Sequence, residues 1–262
     1  KELIGTLNTV IFCPEDLQLI KGTPSGRRRF LDMEISQTSA TYYHQLMQYN
    51  RLLQQRNAVL KEYRGKQNIP LEEWDLQLAD MASFIVKKRL ESLKKINLLI
   101  DLMNRKLTGG LENLTIGYEQ PYMDNGSLEY TKEGFYERIK AALPQDRHRM
   151  TTSVGPHRDD LRFFSDAMDL KKFGSQGQQR TAVLSLKLSE LEFIKSEVGE
   201  YPVLLLDDVL SELDESRRAN LLQFIHKRIQ TFITTTDIHD FKDLKSVQFI
   251  SCEGGKVQYG QP

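Results

Sequence analysis

Apolar residues at helical spacing dominate the first 110 positions of the chain. Between residues 27 and 64 they recur at steps of 4, 3, 4 and 7, and polar residues fill the other faces. The members of this seam are Tyr42, Leu46, Tyr49, Leu53 and Leu60. Glycine, asparagine and proline then indicate a loop at 65–70, and helical spacing resumes from Leu71 to Leu107. The pattern predicts two long helices in an antiparallel hairpin, which would protrude as an arm unless a globular body covers it.

After Gly110 the pattern changes to short apolar runs that alternate with helical segments. Strands are expected at 9–12, 114–118, 153–154, 161–164, 203–206 and 231–235, with short edge strands in the last twenty residues. Helices are expected at 132–143, where Pro144 would stop the helix, over a long segment that ends near Val198, and at 215–229. Such alternation predicts an α/β fold with a mostly parallel sheet that is covered on both faces.

Composition narrows the class of protein. The chain has 262 residues, 36 basic and 36 acidic side chains, and 39% hydrophobic residues, which excludes a fully disordered chain. No apolar run approaches the ~20 residues of a membrane helix, and the first residues lack the layout of a signal peptide. The two cysteines, Cys13 and Cys252, lie far apart without a CxxC motif. These features predict a cytoplasmic protein, and zero net charge still permits a local basic patch for nucleic acid.

Two adjacent carboxylates follow a strongly apolar strand in residues 201–214 (YPVLLLDDVLSELD). Four consecutive apolar residues predict a strand buried on both faces, and ligands of open α/β sheets bind at the carboxyl ends of such strands. Because successive strand residues point to opposite faces, Asp207 and Asp208 need not do the same job. One could hold Mg²⁺ while the other faces an attacking water. The alternative is structural, since many buried strands end in aspartate.

A glycine-flanked serine turn precedes the long apolar helix, in residues 173–180 (FGSQGQQR). A turn at a helix start presents backbone N–H groups, a serine hydroxyl and the positive end of the helix dipole, which together favour a phosphate. A capped helix whose glycines serve only the turn is the alternative interpretation. Ser175 lies 32 positions before Asp207, and residues 211–214 follow the aspartates closely.

Taken together, these segments resemble the C-terminal half of an ABC-type ATPase head. Residues 174–178 resemble the signature loop, 203–208 the Walker B strand, 211–214 the D-loop, and 232–237 the next strand and its switch loop. Thr236 stands where most ABC proteins have a switch histidine, and Asp208 replaces the more usual catalytic glutamate. A shorter carboxylate reaches water less well, so the resemblance implies slow hydrolysis.

Four motifs in order extend the resemblance to the RecF family of bacterial recombination mediators, which is related to the structural-maintenance-of-chromosomes ATPases. They are residues 10–17 (VIFCPEDL), 22–32 (GTPSGRRRFLD), 152–161 (TSVGPHRDDL) and 174–180 (GSQGQQR). The family also has an N-terminal lobe with a Walker A P-loop, and no G-x-x-x-x-G-K-[ST] occurs in this sequence. We therefore expect the chain to begin inside the family's sequence and to hydrolyse ATP poorly by itself.

The resemblance implies a division of the chain and a set of roles. Residues 1–24 would end the N-terminal lobe, 25–130 would form an inserted helical arm, and 131–262 would form the C-terminal lobe. ATP and Mg²⁺ are the implied cofactors, and a homodimer that closes on ATP would clamp double-stranded or gapped DNA. RecR and RecO are the implied partners, in loading recombinase at single-strand gaps for repair and replication restart. An ABC-like DNA-binding scaffold with negligible ATP turnover is the alternative.

Each candidate residue takes its role from the position it matches. The γ-phosphate of a nucleotide held by one subunit would be bound in trans by the signature residues of the other subunit. These residues are Ser175, Gln176, Gly177 and Gln178. Asp207 would hold Mg²⁺, Asp208 would orient or deprotonate water, Ser211 and Asp214 of the D-loop would relay across the interface, and Thr236 marks the switch position.

Weaker signals remain at basic and polar clusters. Lys87, Lys88 and Arg89 are candidate DNA contacts, and the arginines at 27–29 are others; each cluster is also typical of a solvated helix face. His157, Asp159 and Asp160 are ligand types, but adjacent residues of an extended segment diverge. We expect a turn held by ion pairs at that segment.

Overall fold

The computed structural model describes residues 7–64, 69–110, 112–122, 130–236, 241 and 247–260. Its strands are β1 Thr9–Phe12, β2 Leu114–Glu119, β3 Asp160–Ser165, β4 Met168–Asp169, β5 Val203–Asp207, β6 Thr231–Thr234, β7 Ile250–Glu253 and β8 Lys256–Tyr259. Its α-helices are α1 Gln18–Lys21, α2 Pro24–Thr38, α3 Ala40–Glu62, α4 Glu72–Thr108, α5 Lys132–Ala141, α6 Leu143–Arg149, α7 Leu170–Phe173, α8 Gln176–Val198 and α9 Glu215–Ile225. Asp237, the last residue of the predicted switch segment, lies outside the described residues.

A three-stranded parallel sheet with the order β1-β5-β6 carries the candidate site. Phe12 pairs with Leu206, and Asp207 pairs with Thr234, so the carboxyl ends of all three strands meet at one edge. Leu204 and Leu206 are buried, whereas Val203 and Leu205 on the opposite face are only half-buried. The prediction that β5 is buried on both faces is therefore wrong: the described residues cover one face of this sheet well and leave the other partly open.

The remaining strands form separate antiparallel sheets. β3 pairs with both β2 and β4, and β7 pairs with β8 at the end of the chain. The predicted strand at 153–154 is absent, because Ser153 donates its backbone N–H to the Asp146 carboxylate instead of to a ladder. The parallel arrangement expected for the whole α/β part thus holds for β1, β5 and β6.

The long helical segments form the predicted hairpin of α3 and α4, with two differences at helix ends. The helical pattern that begins near Arg27 is broken at Ser39, whose side chain caps α3 by accepting from the backbone N–H of Tyr42 at 3.2 Å. Pro144 does not close a helix. It lies in the first turn of α6, where a missing N–H costs nothing.

A globular body covers the hairpin. α4 packs against α8, α5 and β2 as well as α3, and fourteen of its residues are buried. Arg56 of α3 lies at the centre of a buried ion network with Asp75 of α4 and Asp146 of α6. The hairpin is therefore joined to the rest of the chain by both apolar and ionic contacts. The domain limits at residues 25 and 131 stay predictions.

Pro156–Arg158 form a single 3-10 turn that is held as expected, by ion pairs and hydrogen bonds. Arg27 pairs with Asp160 at 2.8 Å, and the His157 ring bonds to the Tyr49 hydroxyl and to the carbonyl oxygen of Thr152. Burial lowers the pKa of His157 to about 4, which keeps the ring neutral. Gly155 has a φ of 130°, and a Cβ there would approach the Tyr49 hydroxyl to 2.4 Å, so the turn requires glycine.

Candidate functional site

Ser175 is the N-cap of α8 and closes a reciprocal capping box with Gln178. The serine Oγ accepts from the backbone N–H of Gln178 at 3.2 Å, and the Gln178 Oε1 accepts from the backbone N–H of Ser175 at 3.0 Å. Ser175, Gln176 and Gly177 are exposed, and a Cβ built on Gly177 would meet no atom within 4 Å. The turn therefore presents the positive end of a 23-residue helix to open space.

The two aspartates stand at the carboxyl edge of the parallel sheet, and Thr234 of the neighbouring strand connects them. The Thr234 hydroxyl donates to Asp207 Oδ1 at 2.6 Å and accepts from the backbone N–H of Asp208 at 3.1 Å. Asp208 has a φ of 51°, a conformation that non-glycine residues rarely adopt. The sharp bend there ends the strand and turns the chain away from the sheet, so the two carboxylates occupy different positions.

The segment after the aspartates is ordered by its own polar side chains. Ser211 Oγ donates to the carbonyl oxygen of Asp208 at 2.8 Å, and Asp214 is the N-cap of α9. A hydrogen bond from the backbone N–H of Arg217, with the charge of the same arginine, lowers the pKa of Asp214. Leu213 between them is buried. Ser211 and Asp214 thus stand on an exposed surface that an apolar anchor fixes to the body.

A small cavity lies between the first turns of α8 and the segment that follows the aspartates. Its lining includes Phe12 at the end of β1, Arg180 and Val183 of α8, and Val209 and Leu213 after the aspartates. The first turns of the helix capped by Ser175 therefore lie beside the segment that follows Asp208. Arg180 and Thr234 were not among the predicted site residues. Arg180 could have been indicated as a site residue by its position just after the turn at 174–178, and Thr234 by its position at the end of β6.

The donor set at the sheet edge fits a magnesium ion that also contacts phosphate. Mg²⁺ in nucleotide sites takes one or two carboxylates and completes its octahedron with water and phosphate oxygens. Asp207 and Asp208 are both exposed, and Thr234 occupies one oxygen of Asp207. Among the described residues no cluster of three or more His, Cys, Asp or Glu could hold a metal on its own. This edge is suited to a cation that arrives with a nucleotide.

Thr236 is exposed two residues beyond the strand partner of Asp207. Its place beyond the end of β6 puts it after the edge that carries the aspartates. Its role as the switch position stays a prediction.

The burial of Arg89 shows that the prediction of this residue as a DNA contact is wrong. Arg89 is 2% exposed, and its guanidinium donates to both oxygens of Asp32 and to the carbonyl oxygen of Pro156. It therefore holds the fold together and cannot lie on a DNA phosphate. Lys87 is exposed, and Lys88 pairs with Glu91 on the helix surface.

Similarity to known proteins decides the family. The chain is 50% identical over 246 residues to the DNA replication and repair protein RecF of Alkaliphilus oremlandii, which covers 93% of this chain and 67% of the relative. The chain belongs to the RecF family. The RecF of Halothermothrix orenii is 46% identical over 251 residues, covering 94% of this chain and 67% of the relative. No family model matches the chain.

Solved RecF structures have the same fold. A recombination mediator protein RecF described with ATP in the RecFOR pathway superposes with a TM-score of 0.89 at 36% identity, over 99% of this chain and 69% of that one. The corresponding RecF-ATPrS structure gives 0.88 at 37% identity, over 98% and 69%. The fold is therefore a partial ABC-type ATPase head with an inserted helical hairpin, and this RecF chain spans about two thirds of these relatives. Within the described residues no helix is long and apolar enough to cross a membrane.

Proposed function

We propose that this RecF chain is part of an ATP-dependent DNA-binding recombination mediator that acts in DNA repair and replication restart. The observation that carries the proposal is the exposed turn at Ser175, which opens a helix whose first turns pack beside the segment that follows Asp208. The names of the relatives and the ATP of the solved RecF structures support the same reading.

In this proposal the signature turn binds the γ-phosphate of a nucleotide held by a second copy. Gly177 leaves space for the phosphate, and the backbone N–H groups of the first turn with the Ser175 hydroxyl would donate to it. Gln178 also bonds to Glu112, which steadies the first turn of α8. A symmetric dimer would then contain two such composite sites, and ATP would hold its halves together.

The sheet edge would supply the remaining chemistry. Asp207, oriented by Thr234, would bind the Mg²⁺ that neutralises phosphate charge. Asp208 would orient or deprotonate the attacking water. Ser211 and Asp214 stand on the exposed surface after the aspartates, where they would contact the partner subunit and link the two sites.

Closing of the dimer would clamp double-stranded or gapped DNA, and hydrolysis would release it. Lys87 and Lys88 of α4 are the remaining members of the predicted DNA-contacting cluster, through phosphates and without reading sequence. The pathway name RecFOR supports RecR and RecO as partners in loading recombinase at single-strand gaps. A cytoplasmic, nucleoid-associated location follows from that role.

Ser175→Arg tests the role of the signature turn in trans. We expect this variant, in a polypeptide that also carries a P-loop lobe, to lose ATP-dependent dimerisation in light scattering while it keeps nucleotide binding. Ser175→Ala is the comparison variant, because it loses the same hydroxyl and the same helix cap, worth about 0.5–2 kcal/mol, but adds no bulk. It should weaken ATP-dependent dimerisation less than Ser175→Arg does. Dimerisation of Ser175→Arg at the wild-type ATP concentration would contradict the proposal.

A DNA-binding scaffold with negligible ATP turnover is the second candidate. Two observations favour it: Asp208 is shorter than glutamate, and Thr236 replaces the switch histidine. The scaffold would still close on ATP, so single-turnover hydrolysis distinguishes the two candidates.

A further inference from the structure

A second cleft opens between α2 and α3, with the Pro156–His157 turn as its floor. Its volume is about 410 Å³, within the range of about 300–1,000 Å³ that small-ligand pockets occupy. None of the residues proposed above to bind ATP lines it. Nothing in the proposed nucleotide chemistry accounts for this cleft.

The cleft carries an excess of positive charge. Arg28, Arg29 and Arg89 line it together with one carboxylate, Asp32. Both oxygens of Asp32 accept from Arg89, at 2.9 Å each, so that carboxylate is already paired. Arg28 and Arg29 therefore add two positive charges to the lining. The carboxylates of Asp159 and Asp160 also interact with Arg28, but they do not line the cleft and are paired with Arg89 and Arg27.

The surroundings of Arg28 favour an anion. Its Nη1 donates to the carbonyl oxygen of Asp159 at 2.7 Å, a contact that orients the guanidinium without cancelling its charge. Burial and the neighbouring charge of Arg89 lower the pKa of Arg28. Arg29 is exposed one residue further along α2. A phosphate between Arg28 and Arg29 would offset the repulsion between their positive charges and accept hydrogen bonds from both guanidinium groups.

The opposite wall is aromatic and apolar. Tyr43 of α3 is half-buried in the lining, with Leu46 and Met33 beside it. The buried Tyr49 hydroxyl bonds to His157 Nδ1 at 2.6 Å and fixes the floor. An aromatic ring beside a cationic strip is the combination by which proteins bind single-stranded nucleic acid, since every base has a face that can stack.

We propose that this cleft binds a nucleotide of single-stranded DNA, with its phosphate on Arg28 and Arg29 and its base against Tyr43. Bases in a duplex stack on one another, so a contact with Tyr43 requires an unpaired strand. The inference rests on the proposed DNA-binding function and adds the site at which an unpaired strand would lie. It would give the protein a contact that only the single-stranded part of a gap supplies.

Fluorescence anisotropy with a labelled oligo-dT strand and a labelled duplex of equal length tests this site in the 262-residue chain. We expect Arg28→Gln/Arg29→Gln to weaken binding of the single strand and to reduce the slope of log affinity against log salt by about 0.7, since the two arginines share one phosphate and each single-strand phosphate contact contributes about 0.7. Lys106→Gln/Lys132→Gln is the control, because it removes two exposed charges from α4 and α5.

Tyr43→Leu and Tyr43→Phe test the aromatic wall. We expect Tyr43→Leu to weaken single-strand binding about fivefold or more, because stacking contributes about 1–3 kcal/mol per base, and to leave duplex binding unchanged. Tyr43→Phe keeps the ring and should bind as the wild type does. Since the two variants differ in the ring, circular dichroism of both separates loss of stacking from loss of folding.

The outcomes separate this inference from the proposed function. Binding of DNA by the wild type with no effect of the arginine or Tyr43→Leu variants would overturn the inference and leave the proposed DNA binding intact. Equal loss on single strand and duplex, with Tyr43→Leu silent, would place the arginines on duplex backbone and also overturn it. A wild-type chain that binds neither DNA would overturn the inference alone, since the proposed function needs the P-loop lobe and is tested by Ser175→Arg.

Discussion

Replacement of Arg56 by methionine should destabilise the protein strongly, because it leaves two buried carboxylates without their cationic partner. The Arg56 side chain is 0% exposed, and its partners Asp75 and Asp146 are 7% and 0% exposed. Nε donates to Asp75 at 2.6 Å, while Nη1 donates to Asp146 at 2.6 Å and to the Thr152 hydroxyl at 2.9 Å. The network joins α3, α4 and α6, so its loss would loosen the hairpin from the body.

The expected loss is about 3–5 kcal/mol, the usual cost when one partner of a buried ion pair is removed. Unfolding entropy of about 2.1 cal/mol/K per residue gives about 0.55 kcal/mol/K for 262 residues. The melting temperature should therefore fall by about 5–9 °C. Urea unfolding followed by circular dichroism measures the free energy directly, and Arg105→Met, at an exposed pair with Asp101, should lose less than about 1 kcal/mol.

The loss should depend on pH in a stated direction. Burial already raises the pKa of Asp75, and the Arg56 guanidinium opposes that rise. Without the guanidinium the folded-state pKa moves further above the unfolded value, so protonation at lower pH relieves the buried charge. The difference between Arg56→Met and wild type should be largest near pH 8 and shrink towards pH 5. A loss below 1 kcal/mol, or one that does not change with pH, would refute this account.

Two further predictions concern other carboxylates. Burial raises the pKa of Glu34 to about 7, against the opposing charge of Lys187, so the folded protein holds a proton that the unfolded chain releases above its ordinary value of 4.5. Wild-type stability should therefore fall as pH rises from about 4.5 to 7, and Glu34→Gln should flatten that slope in melts at several pH values; an unchanged slope would exclude Glu34 as its source. At the sheet edge, Asp208→Asn in a polypeptide with a P-loop lobe should slow single-turnover ATP hydrolysis and leave ATP-dependent dimerisation in place. Equal rates would remove the catalytic role proposed for Asp208.

Local pattern was sufficient to predict most elements of this fold. The two hairpin helices, the strands at 9–12 and 203–207, and the helix that begins after Ser175 all have strong periodicity or strong end signals. The predictions are wrong where tertiary contacts decide whether a segment forms a strand or which side chains are buried. Ser153 bonds to the Asp146 carboxylate instead of joining a strand, and Leu205 faces a side of the sheet that the described residues leave partly open. Such pairings depend on partners far away in the sequence, which a local window does not contain.

For the candidate site, residue types and their order indicated candidate members but not how the structure holds them. Motif spacing indicated the aspartates and the serine turn, and the structure adds Thr234, whose hydroxyl connects Asp207 with the backbone of Asp208. That contact depends on the register between β5 and β6, in which Asp207 lies opposite Thr234. A sequence shows that both residues end strands, but the register is set by packing of the whole sheet.

The basic cluster of α4 shows why neighbouring charges on a helix should not be assigned one role from their adjacency in the sequence alone. Consecutive helical residues are rotated by about 100°, so Lys87, Lys88 and Arg89 point in three directions. Arg89 lies four positions after Ile85 and seven before Ile96, and both isoleucines are buried. The same spacing that predicted the apolar stripe places Arg89 on it, which requires a carboxylate partner, and Asp32 supplies one. A search for DNA contacts on this helix should therefore begin with lysines that fall off the stripe, of which Lys87 is the most exposed member of the cluster.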